Sequence, residues 1–266
     1  MAIEKAFQKI ETEQLREDTA AMITHDIKIP LTSIIGFASM IYDHEKGEFH
    51  PRAREFAETV HASGQKILEL IENYLTTCKI EAGTLKAVAT EVNLRRMIED
   101  VVETLRVEAE RRGQRIESDL RGLPATVFLD EMMIYRAVGN MLNNAFKYGS
   151  PDAPIEIIAE KLDASLSPLG LDSIRIQVVN ETEEILPEDF DDIFNRFERA
   201  DAGARRGIEG SGIGLYVVKA VTHAHRGRVG AGLAGDGRVQ FSIILPLKLD
   251  ESDATVETTA RLRDRS

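Results

Sequence analysis

The sequence predicts an α + α/β protein in two parts. An antiparallel helical hairpin closes into a dimeric four-helix bundle with a second copy of itself, and an α/β sandwich follows. Three observations carry that expectation. Apolar residues in the first third recur at alternating steps of four and three, the periodicity of a helix seam. After Glu81-Ala82-Gly83-Thr84 the texture changes to strand-like runs interleaved with helical patterns. The chain has 266 residues, 43% of them hydrophobic, enough for two ordinary cores.

Residues 1–46 hold almost no helix breaker apart from Pro30 and Gly36, and apolar residues fall at Ile3, Phe7 and Ile10, then at Ile23, Ile27, Pro30, Ile34, Phe37 and Ile41. Pro30 removes a backbone donor at a cost of about 3 kcal/mol, yet the apolar register runs on past it, so a kinked but continuous helix is expected. Asp43 to Pro51, with Gly47 inside it, reads as a turn. Phe56, Val60, Ser63, Ile67, Leu70 and Tyr74 repeat the alternation on a returning helix. Two antiparallel helices cannot enclose a core alone, which is why a homodimer is expected.

Behind the linker come an extended piece from Leu85 to Val92, a helix from Leu94 to about Arg112, and strands at Arg115 to Leu120 and Thr126 to Leu129. A helix from Glu131 to Tyr148 leads to strands at Ile155 to Lys161 and Ser173 to Val179. A helical segment from Glu188 to Phe197, a glycine-rich loop bearing arginines, a helix from Gly212 to His225, and strands at Arg228 to Leu233 and Arg238 to Leu245 complete the pattern. This order puts helices on one face of a sheet. The expected domains are 1–82 and 83–249, with a polar, mobile tail over 250–266.

The net charge of -12 disfavours nucleic acid and anionic membrane surfaces as partners. Cys78 is the only cysteine, so a disulfide framework and a thiolate metal cluster are excluded; a small buried hydrophobe in a reducing cytoplasm is the expected role. No run approaches the ~18 apolar residues of a membrane span. The opening Met1-Ala2-Ile3-Glu4-Lys5 has no signal-peptide core, so a cytoplasmic chain without direct membrane insertion is expected.

Three segments carry chemistry. His25 lies off the Ile23/Ile27 stripe beside the small residues Thr32 and Gly36, so its ring is expected to face solvent. Asp26 can take a proton from one ring nitrogen and leave the other lone pair to attack phosphorus. Asn140, Asn144 and Lys147 share one helix face, where Asn144 can offer an oxygen to Mg2+ and Lys147 can reach a phosphate. Asn143 points about 100 degrees away. Gly210-Ser211-Gly212-Ile213-Gly214-Leu215 opens a helix whose free amides favour an anion. His44, His50, His61, His223 and His225 lack such surroundings and are expected to be structural or exposed.

The segment Thr24-His25-Asp26-Ile27-Lys28-Ile29-Pro30, then Asn140 to Tyr148, then Gly210 to Leu215 resemble, in that order, the H, N and G2 boxes of sensor histidine kinases, and the resemblance covers roughly residues 15–248. Asp192 to Asp201 resembles the F box, and the loop with Arg205 and Arg206 looks like the ATP lid. The resemblance implies a Bergerat-type ATP-binding domain of the GHKL class, with ATP and Mg2+ as its cofactors. It implies autophosphorylation of His25 and transfer to an aspartate of a response regulator receiver domain. The roles it implies are catalytic for His25, Asp26, Lys147 and Arg199, and metal binding for Asn144. Nucleotide binding falls to Asn140, Asn144, Lys147, Tyr148, Asn180, Arg205, Arg206, Gly210, Gly212, Gly214 and Leu215.

Two positions depart from the family pattern. Where relatives carry Asp-x-Gly-x-Gly, this chain has Asn180-Glu181-Thr182-Glu183-Glu184. The family aspartate accepts a hydrogen bond from the adenine amino group; a neutral Asn180 acceptor loses on the order of 1 kcal/mol, so weak ATP binding is expected. Ile29 stands where many relatives place Thr or Asn to orient water, so poor phosphatase activity is expected. The alternatives are a degenerate kinase serving as a binding scaffold and an ATP hydrolase of the gyrase and heat-shock type. The latter requires a glutamate where Asn140 stands, and an amide cannot deprotonate water.

Overall fold

The computed structural model describes residues 27–38, 52–151, 153–182, 185–187, 190–195 and 212–249. The chain divides into two compact units, Met1–Cys78 and Lys79–Ser266. The turn expected at Asp43 to Pro51 and the tail 250–266 lie outside the described residues.

In the first unit, helix α1 over residues 27–38 runs unbroken through Pro30. Its buried and half-buried positions are Ile27, Pro30, Ser33, Ile34 and Phe37, which is the apolar stripe read from the sequence with Ser33 beside it. Helix α2 spans Ala53–Glu81, with Glu55 in its first turn and Lys79 in its last, charges that oppose the helix dipole favourably. The Phe37 and Phe56 rings meet with centroids 5.4 Å apart. A second apolar row faces away: Ile35 and Leu68 are 60% and 58% exposed. Cys78 is half-buried rather than buried. Among the described residues no helix is long and apolar enough to cross a membrane.

The second unit contains β1 (Thr90–Val92), α3 (Leu94–Arg111), β2 (Ile116–Gly122), β3 (Val127–Leu129), α4 (Glu131–Tyr148), β4 (Ile155–Leu162), β5 (Ser173–Asn180), α5 (Gly214–Ala224), β6 (Arg228–Leu233) and β7 (Val239–Pro246). Five strands form one mixed sheet in the order β2-β4-β5-β7-β6, and β1 pairs with β3 separately. Only the β2/β4 pair is parallel; β4, β5, β7 and β6 pair antiparallel.

Period-two alternation decides which face is covered. Ile157, Val178 and Phe241 lie opposite one another across three strands and are fully buried, as are Ile176 and Ile243 beside them. This apolar face carries α3, α4 and α5. The other face is polar and half-exposed, where Arg175 pairs with Glu160, Arg238 reaches Glu156 at 2.9 Å, and Gln177 donates to Gln240 at 3.0 Å.

Within the extended piece from Leu85 to Val92 the paired strand is Thr90–Val92, and Leu85 packs with Ile80 and Ala220. One expectation needs correction. In the segment expected to be helical from Glu188 to Phe197, described residues 190–194 form turns, and the Asn195 amide bonds the Asp192 carbonyl at 2.7 Å, three residues back. Consecutive Asp191 and Asp192 after Pro187 disfavour a helix, and Asn195 Nδ2 bonds the Asp192 carboxylate at 3.0 Å instead. Phe194, edge-on to Phe241 at 6.3 Å, holds the segment to the core.

Candidate functional site

The site is built on α4, whose two ends are fixed independently. At its start Asp130 is the N-cap: Oδ1 accepts from the Met133 amide at 3.0 Å, and Oδ2 accepts from the Val88 amide at 3.0 Å. The Asp130 amide donates to His225 Nε2 at 3.0 Å. Nε2 is therefore an acceptor and Nδ1 carries the proton, donated to the Val221 carbonyl at 2.8 Å. Burial holds the His225 pKa below its ordinary value against the opposing pull of the Val221 carbonyl and Asp130. One imidazole thus joins the end of α5 to the start of α4.

At the other end, a Cβ on Gly149 would sit 2.4 Å from the Ala145 carbonyl oxygen, so the close approach requires glycine. The next amide, Ser150, donates to the Glu181 carbonyl at 2.8 Å, which ties the exit of α4 to the exit of β5. Between these anchors, Asn140 is 8% exposed and its side-chain oxygen lies 3.7 Å from where a Cβ on Gly214 would be. The asparagine face of α4 and the glycine opening of α5 therefore meet at Asn140 and Gly214. Gly212 has φ +63, a left-handed conformation that any side chain would strain.

Asn144, Lys147 and Tyr148 are half-buried, whereas Asn143 is exposed, in keeping with its expected bystander role. The Lys147 ammonium lies 5.7 Å from the Tyr148 ring centroid. Leu215 is half-buried on the first turn of α5. Asn180 ends β5 at 1% exposure, its Nδ2 making only a 3.5 Å contact with the Glu181 carbonyl. His25, Asp26, Arg199, Arg205, Arg206 and Gly210 lie outside the described residues.

Among the described residues four side-chain atoms are buried without a hydrogen-bond partner, and three of them are Asn140 Nδ2, Asn144 Nδ2 and Asn180 Oδ1. A buried polar atom left unpaired costs about 1–3 kcal/mol, and native proteins tolerate few. Three of the four fall at residues nominated from sequence, which leaves these groups open to a polar ligand or to water. The unpaired Asn180 Oδ1 suits a purine amino donor, whereas the unpaired Asn140 and Asn144 nitrogens are donors that suit phosphate oxygens. A hard cation at Asn144 would therefore have to meet its Oδ1. Among the described residues no three His, Cys, Asp or Glu side chains gather at one point. A cation beside α4 would therefore draw on carboxamide, phosphate and water oxygens.

Sequence reasoning missed three supports. Asp130 was legible as an N-cap directly before Glu131, but its second bond, to Val88, was not. His225 is structural as expected, yet its partner lies 95 residues away and left no local signal. Lys219 Nζ donates to Asn195 Oδ1 at 3.0 Å and fastens the 190–195 segment to α5. Burial lowers the Lys219 pKa while Asp192 raises it.

Comparison with known proteins joins this geometry to a family. The family model for histidine kinase-, DNA gyrase B- and HSP90-like ATPases matches residues 129–249, and that for the His Kinase A (phospho-acceptor) domain matches residues 15–83. The chain belongs to the sensor histidine kinases. The histidine protein kinase DivJ of Caulobacter vibrioides is 28% identical over 244 residues, covering 90% of this kinase and 38% of DivJ. This kinase spans well under half the length of the curated relatives it matches first. Full-length ShkA in complex with AMPPNP superposes with a TM-score of 0.62 at 19% identity, over 88% of this kinase and 46% of ShkA. ThkA in complex with the response regulator protein TrrA gives a TM-score of 0.57 at 19% identity, over 92% of this kinase and 65% of that chain. These likenesses attest the helical and α/β sandwich fold.

Proposed function

We propose that this histidine kinase core autophosphorylates on His25 with ATP and passes the phosphoryl group to an aspartate of a response regulator receiver domain. Residues 1–82 are assigned to dimerisation and phosphotransfer, and 83–249 to catalysis. The observation that carries the reading is the set of unsatisfied buried amides at Asn140, Asn144 and Asn180.

In this reading the Asn180 carboxamide accepts from the purine, and Lys147 and Tyr148 flank the phosphates. The amides opening α5 at Gly212, Gly214 and Leu215, with Gly210 ahead of them, meet the phosphate chain. Asn140 and Asn144 orient this phosphate end, and Asn144 holds Mg2+. When bound, Mg2+ supplies neutralisation of phosphate charge. A free nitrogen of His25 attacks the γ-phosphorus; the N–P bond forms as the bond to the β,γ-bridging oxygen breaks, and ADP leaves. Asp26 takes the ring proton, and Arg199 with one of Arg205 and Arg206 counters charge on the moving group. The exposed apolar row of Ile35, Leu68 and Leu75 supports a homodimer, since a second copy would cover it. That ThkA is seen with TrrA supports a receiver domain as partner. Ile29 offers water no polar group, so phosphatase activity by that route is expected to be poor.

Incubation of the full chain with γ-labelled Mg-ATP tests the reading. The expected label survives base, is lost in acid and disappears in His25→Gln while nucleotide binding persists. A label that remains in His25→Gln, or no label at all, overturns it.

A further inference from the structure

Asn180 stands where an acidic group would be an acceptor only, and its carboxamide has both an acceptor and a donor. The surroundings do not commit it to either. Oδ1 is buried without a partner, and Nδ2 is engaged only by the 3.5 Å contact to the Glu181 carbonyl, at the outer limit of a hydrogen bond. A half-turn of the amide about its last torsion exchanges the two atoms, giving up that long contact and setting Oδ1 against the Glu181 carbonyl at the same distance, where two acceptors repel only weakly. Asn180 is the last residue of β5, paired with Val239 of β7, and the Glu181 carbonyl beside it is held by Ser150, so the amide turns on a fixed backbone.

Purines differ at position 6 in the same sense. Adenine presents an amino donor there, and hypoxanthine and guanine present an oxo acceptor. A carboxylate selects the amino group and repels the oxo group, whereas an amide can satisfy either by turning. We infer that Asn180 is a specificity-determining residue that relaxes the purine choice of this site, so that 6-oxopurine triphosphates bind alongside ATP. The inference rests on the nucleotide reading of the site given above.

Inosine triphosphate isolates the effect, because its ring differs from that of ATP only in the position-6 substituent and the N1 proton that follows from it. The experiment is displacement of trinitrophenyl-ATP from the full chain in the presence of Mg2+, with ATP and inosine triphosphate as competitors. The wild-type protein is expected to bind the two within about tenfold of each other, the scale of one neutral hydrogen bond. Asn180→Asp is expected to strengthen ATP, weaken inosine triphosphate and move their ratio by more than about tenfold. Wild-type protein that binds ATP but takes inosine triphosphate more than about a hundredfold more weakly overturns the inference and leaves the kinase reading intact. Failure of both nucleotides to bind overturns both. The wild-type ratio decides even where Asn180→Asp unfolds.

Discussion

The amides on α4 and the amide at the end of β5 are alike in being buried and unsatisfied, but they are mounted differently. Asn140 and Asn144 ride on a helix capped by Asp130 at one end and fixed by Gly149 at the other. Asn180 ends a strand, with Glu181 and Thr182 following it out of the sheet. A change on α4 disturbs the packing against α5, while the chain beyond β5 touches the exit of α4 through the Glu181 carbonyl and the Ser150 amide. On the proposed function, phosphate and metal handling would sit on the helix and base selection at the end of the strand.

Four experiments break or sharpen that comparison. Asn144→Ala is expected to lower the rate of His25 labelling by about a hundredfold or more, whereas Asn180→Ala weakens nucleotide by about tenfold. Equal effects in an initial-rate assay would erase the distinction. Gly149→Ala forces a Cβ into the Ala145 carbonyl and is expected to destabilise the domain by about 2 kcal/mol, seen as a fall of several degrees in Tm. An unchanged Tm would mean that the exit of α4 is softer than its geometry implies. Lys219→Met frees the 190–195 segment from α5 and is expected to raise the KM for ATP about threefold to tenfold, with less change in kcat. An equal loss in kcat would assign Lys219 a different part.

The smallest effect is a pH dependence at the start of α4. The folded pKa of His225 lies below the 6.5 of a free imidazole, so the unfolded chain takes up the proton first. Stability present above about pH 6.5 is therefore lost as pH falls through that value toward the folded pKa. Melting curves of wild type and His225→Asn should converge as the pH is lowered, and curves that stay parallel would remove His225 from the acid response.

What the sequence showed depended on distance along the chain. Helix α4 has the bounds read from periodicity, because its cap and buried stripe are local signals, and strand β6 has the bounds read for it although its burial does not alternate. The meeting of Asn140 with Gly214 was foreseeable only through two motifs acting together. The link from Asp130 to His225 left no trace, since neither residue's neighbours require it. The 190–194 turns were hidden because Ile193 and Phe194 satisfy a helical pattern as readily as the turn that buries them.

The site also bears on how durable the domain is. On the proposed function, a nucleotide bound only by the folded form shifts the equilibrium toward it, and a domain starved of that nucleotide would open more often and meet proteases sooner. The supply of its phosphoryl donor would then govern how many copies survive as well as how fast each one works.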